Sequence, residues 1–112
     1  MAAMKVDVLG TAYEIKVQTE EENPKLKDAS GLCEMYTRTL VVRKLKDEPG
    51  VYDNIEAYGR KVLRHEIIHA FLAESGLRSN CSFAENEELV DWIAIQFPKL
   101  ARAFAAAGCA EE

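Results

Sequence analysis

The sequence predicts an α+β domain in which a small antiparallel sheet of three to four strands packs on two main helices. Three observations carry that expectation. Residues 5–43 contain short segments that alternate polar and apolar residues or are rich in β-branched side chains. Residues 54–107 contain two long stretches with apolar residues at helical spacing. Glycine- and proline-bearing breaks such as Gly10-Thr11, Pro49-Gly50 and Gly76 separate these segments.

Lys5 to Leu9 alternates, Gly10-Thr11 signals a turn, and Tyr13 to Val17 alternates again, which predicts an antiparallel hairpin. Thr19 to Lys27 is charged and contains Asn23-Pro24, as a solvated loop with at most one helical turn does. Ser30-Gly31 opens a strand over Leu32 to Met35, Tyr36 to Arg38 turns, and Thr39 to Arg43 forms the partner strand. Lys46 to Gly50 breaks the chain.

A long helix is expected from about Asn54 to Glu74, capped by Asp53 with Glu56 completing a capping box. Gly76 is placed to end it in a left-handed conformation, with Leu77 packing back. Gly59 weakens this helix by about 1 kcal/mol relative to Ala; packing is the first reason expected for a glycine there, and close approach of a strand or substrate the alternative. Arg78 to Phe83 reads as a loop, and Ser82 with Glu85 as the cap of the next helix. That helix carries Leu89, Val90, Trp92, Ile93 and Phe97, should kink or break at Pro98, and should resume to Gly108.

The chain has 112 residues, 48% apolar and 29% charged, which suits one globular domain over residues 1–112. A net charge of −5 argues against nucleic acid as a partner, because binding it takes a basic surface. No apolar run approaches the length of a membrane span, and the first residues lack the apolar centre of a signal peptide. Cys33, Cys81 and Cys109 are odd in number and form no Cys-x-x-Cys, which points to free thiols and a cytoplasmic location.

The chemistry centres on Arg64-His65-Glu66-Ile67-Ile68-His69. The two histidines of the chain both lie in this His-Glu-x-x-His pattern. Four residues apart on a helix, their imidazoles share a face and can reach one metal ion, with Glu66 beside them as general base. Chance places two histidines at this spacing with Glu next to the first in roughly one arrangement in 500. The segment is also apolar on nearly all sides, and burying two imidazoles and a carboxylate there is costly without a compensating cation.

Three protein ligands are expected at a catalytic zinc, so a third must come from elsewhere. Asn86-Glu87-Glu88-Leu89-Val90-Asp91 supplies carboxylates at the start of the second helix. Glu87 is the first choice as ligand, with Asp91 one turn on as acceptor for the far nitrogen of a ligand histidine. Glu88, then Glu85, Asp91 or Cys81, are the alternatives. The bland account, that these acids only complement a helix N-terminus, suits Glu85 and Glu88 but not Asp91, which lies beyond the first turn.

His65-Glu66-x-x-His69 followed by Asn86-Glu87-x-x-x-Asp91 resembles the zincin metallopeptidases whose third ligand is a glutamate. Over residues 30–100 the layout is similar to the ImmA/IrrE-type peptidases and to short zinc-peptidase-like proteins of bacteria and their phages. Trp92 and the absence of an acid at Leu89 depart from that pattern. The resemblance implies hydrolysis of a peptide or protein substrate by a zinc-activated water, with His65, His69 and Glu87 on zinc and Glu66 as base. It also implies that a sheet edge, here the hairpin ending near Val42, pairs with extended substrate. Tyr36, Tyr52, Tyr58 and Arg38 are candidates by type for stabilising the oxyanion, although each residue type is more often packing or surface. Two rival readings stand beside this one: a zinc-stabilised protein-binding module, its site closed by Cys81, and a metal-free helical adaptor.

Overall fold

The computed structural model describes residues 4–44 and 54–112. Its strands are β1 (Met4–Val8), β2 (Thr11–Gln18), β3 (Gly31–Glu34) and β4 (Thr39–Arg43), followed by α1 (Ile55–Glu74), α2 (Leu77–Asn80) and α3 (Glu87–Ala106). Short 3-10 turns at Pro24–Asp28 and Ser82–Glu85 complete the described elements. The architecture is α+β, a small sheet against two long helices. None of the described helices is long and apolar enough to cross a membrane.

Both expected hairpins form. Leu9 and Gly10 make the β1–β2 turn with φ of 51° and 87°, the doubly left-handed geometry that matches strand twist. Leu9 therefore belongs to the turn and not to the strand. The sheet is mixed, however, and not wholly antiparallel. Its order is β1-β2-β4-β3, and β2 pairs with β4 in parallel, Ile15 facing Leu40. The connection carrying the Pro24–Asp28 turn takes β3 to the sheet edge, and β4 then returns between β2 and β3. A central strand is covered on both faces, and Leu40, Val41 and Val42 are all buried accordingly.

One face of the sheet receives α1. Val8, Tyr13, Ile15, Leu40 and Ala70 form the buried cluster, with Leu63 and Ile67 of α1 packed against it. The far end of α1 is tied to β2 by polar contacts: the Tyr13 hydroxyl donates to Glu74 at 2.7 Å and Thr11 donates to it at 3.3 Å. The near end is capped by Asn54, whose side chain accepts the Ala57 N–H at 3.0 Å. The expected cap, Asp53, lies outside the described residues. Gly76 has the left-handed φ of 85° foreseen for it, but Leu77 starts the single turn of α2 and stays 38% exposed.

Two features of α3 differ from expectation. Its cap is Asn86, accepting the Leu89 N–H at 2.9 Å, while Ser82 and Glu85 delimit a 3-10 turn. The helix also runs through Pro98 without a break. Proline has no N–H to offer the carbonyl four residues back, which is that of Ala94. Arg64 of α1 fills the gap, its Nε donating to the Ala94 carbonyl at 2.6 Å. The defect in one helix thus becomes a docking point for the other, next to His65.

The glycines of β3 and α1 have opposite roles. A Cβ on Gly31 would lie 2.8 Å from Val62 Cγ1, 2.9 Å from Glu66 Oε2 and 2.9 Å from the Val41 carbonyl. Gly31 is therefore what allows α1 to bring Glu66 against the edge strand. A Cβ on Gly59 would meet nothing within 4 Å, so no close approach requires that glycine. Gly31→Ala is expected to lose about 1–3 kcal/mol of stability through overpacking, whereas Gly59→Ala should gain up to about 1 kcal/mol. Urea unfolding of the two variants checks this, and equal effects would contradict the packing described.

Candidate metal centre

Helix α1 presents Lys61, His65 and His69 one turn apart on one face, and α3 presents Glu87 and Asp91 towards it. The Glu87 carboxylate faces both histidines, with Oε2 2.9 Å from His65 Nε2 and Oε1 2.8 Å from His69 Nε2. The two Nε2 atoms are 3.1 Å apart. Asp91 Oδ1 lies 2.9 Å from the other ring nitrogen of His65, Nδ1, and 3.0 Å from Lys61 Nζ. Although burial works against it, hydrogen bonds from Lys61 and His65 hold the Asp91 carboxyl below its ordinary range. As a carboxylate it only accepts, so Nδ1 of His65 carries the proton. In the neutral ring this leaves Nε2 as a lone pair aimed at Glu87.

That arrangement suits a cation. Two imidazole nitrogens and a carboxylate converge, all electron-rich, and they repel one another unless positive charge lies among them. Ligands bound at about 2.0–2.1 Å in a tetrahedron are roughly 3.3 Å apart; the two Nε2 atoms stand near that spacing, and with one oxygen taken from Glu87 the three donor atoms lie within 4.8 Å of one another. Burial holds the His69 imidazole below its ordinary range, favouring the neutral form that a metal requires. The group His65, His69 and Glu87 can therefore hold a metal ion. Among the described residues it is the convergent group of this kind, and Glu85, Glu88 and Cys81 are not part of it. Asp91 touches the outer nitrogen of His65, which orients the ring and fixes its tautomer.

Glu66 is buried at 7% exposure and its side chain makes no hydrogen bond among the described residues. Burial pushes its carboxyl up to about 7; the nearby Glu87 charge adds to the rise and His65 opposes it. The carboxylate lines two clefts that flank the histidines. One, of about 290 Å³, is walled by Ser30, Gly31, Tyr58 and Lys61. The other, of about 350 Å³, is walled by Leu32, Cys33, His69 and Arg78. Edge strand β3 borders both.

The other sequence candidates scatter. Tyr36 is 89% exposed in the β3–β4 turn, and Arg38 lies 3.8 Å from Glu74 at the far end of α1. Tyr58 does reach the first cleft, its hydroxyl 2.7 Å from that of Ser30. Tyr52 lies outside the described residues. Val42, expected near the substrate edge, is on interior strand β4, so the open edge beside the site is β3 instead.

Three residues of the site escaped the sequence reading. Lys61 was detectable, since it precedes His65 by one helical turn. Gly31 and Arg78 reach the site only through the fold. Comparison of the chain with protein-family models, with curated proteins and with solved structures returns no match.

Proposed function

We propose that this protein is a zinc-dependent metallopeptidase of zincin type, with His65, His69 and Glu87 as zinc ligands and Glu66 as general base. The observation that carries the reading is the joint placement of a three-residue ligand group and a buried, hydrogen-bond-free carboxylate on two clefts that share Gly31, Glu66 and Glu87. Zinc is the fitting ion because two imidazoles and one carboxylate, with a position left for water, are a catalytic zinc donor set. When bound, it supplies Lewis-acid polarisation of the substrate carbonyl and activation of water.

The chain's own residues do the rest. Glu66 takes the proton of the attacking water and delivers it to the leaving amine, a task suited to a buried carboxylate beside the ligand group that no hydrogen bond commits elsewhere among the described residues. Asp91 and Lys61 keep His65 in its ligand orientation. The outer side of β3, residues 31–34, can receive an extended peptide by strand addition. Gly31 keeps that backbone close to Glu66.

The test is hydrolysis of an unstructured protein substrate by zinc-loaded protein. Cleavage should stop on chelation and return with added zinc. Stoichiometric zinc with no cleavage of any substrate would favour the rival reading, a zinc-stabilised protein-binding module.

A further inference from the structure

Arg78 has no place in the chemistry above, yet it stands in the cleft. It follows the Gly76 turn on α2, is half-buried, and lines the same wall as Leu32, Cys33, Glu66 and His69. Its partner there is weak: Nη1 lies 3.9 Å from the Met35 sulfur. Thioether sulfur is a poor acceptor. The guanidinium forms no ion pair with a carboxylate among the described residues.

The other cation of the clefts is committed, since Lys61 Nζ lies 3.0 Å from Asp91. Elsewhere Arg38 and Arg43 reach carboxylates at 3.8 and 3.9 Å, and Arg64 caps the Ala94 carbonyl. The charge of Arg78 acts on Glu66 across the cleft but no carboxylate among the described residues contacts it, so in a chain of net charge −5 this half-buried guanidinium is an open fork for an anionic oxygen pair.

We infer that Arg78 binds a carboxylate of the peptide substrate, either an acidic side chain or a free C-terminus, and so sets which peptides the cleft accepts. This rests on the cleft being a peptide site. Arg78 sits on the Cys33 side of Gly31 and Tyr58 and Lys61 on the other, so the carboxylate lies towards one end of a peptide running along β3.

The experiment uses the 112-residue Glu66→Gln chain loaded with zinc. That background removes turnover, and it removes the Glu66 charge that Arg78 would otherwise serve to offset. The probes are acetylated, amidated hexapeptides carrying Glu or Gln at each position in turn, and one peptide with a free C-terminal carboxylate. Binding is read by calorimetry. At one position, or for the free C-terminus, the carboxylate peptide should bind about tenfold more tightly than its neutral twin. Arg78→Gln should bring the two within twofold, and Arg78→Lys should keep only part of the preference. Circular dichroism of each variant reports folding. Equal binding of charged and neutral peptides, a preference that survives Arg78→Gln, or no peptide binding at all would overturn the assignment. If the preference holds but the protein with Glu66 intact cuts none of these peptides, Arg78 stands and the peptidase reading fails. If that protein cuts Glu and Gln peptides equally, the peptidase reading stands and the role of Arg78 fails.

Discussion

Glu66→Gln should retain zinc and lose peptide hydrolysis, by about 10²–10⁴-fold in kcat. The amide has the carboxylate's shape and fits the space against Gly31, but it cannot accept a proton from water. Binding of the metal should persist, because Glu66 does not belong to the ligand group. Stability should hold or rise, since a neutral side chain replaces one whose charged form is disfavoured by burial. Zinc content, melting temperature and turnover on one substrate separate these effects. A variant that lost zinc as completely as His65→Ala would show that Glu66 is a ligand and not the base.

The second large effect concerns the two acids of α3. Glu87→Ala removes the proposed ligand oxygen and the carboxylate that faces both Nε2 atoms, so zinc affinity should fall by more than about 100-fold, beyond the range of an outer partner. Asp91→Asn leaves a carbonyl for the His65 Nδ1 proton but takes the counter-charge from Lys61. Its cost should be the milder loss of about 10–100-fold. Glu85→Ala and Glu88→Ala should change affinity by less than about fivefold, the scale of charges near a helix N-terminus. Competition with a chromogenic chelator gives all four values. Small and similar losses at Glu85, Glu87 and Glu88 would mean that the acids serve the helix and not a metal.

Helical periodicity carries site information over short range, and there the sequence was readable. His65 and His69 share a face because they are one turn apart, and Glu87 and Asp91 do so for the same reason. Depth in the helix set Asp91 apart from a mere N-terminal charge, but which nitrogen of His65 each acid faces, Nε2 for Glu87 and Nδ1 for Asp91, depends on how the helices pack. The parallel pairing of β2 with β4 was not readable, because strand order depends on where a loop lands and alternation is blind to it. Asn86 and Ser82 both look like caps, and only packing decides between them. Pro98 reads as a break because its lost hydrogen bond is local, whereas Arg64 repairs it from another helix. Gly31 and Arg78 carried no local signal. Gly31 resembles any glycine at a strand start until α1 lies across it, and Arg78 resembles any loop arginine until the cleft forms.

The coordination sphere of zinc-loaded protein, read by X-ray absorption or from crystals, tests the central proposal most directly. Two imidazole nitrogens at about 2.0–2.1 Å and one Glu87 oxygen at about 2.0–2.2 Å are expected, with the fourth position free of any protein atom. A sulfur at about 2.3 Å from Cys81, or Glu88 on the metal with Glu87 turned to solvent, would contradict it.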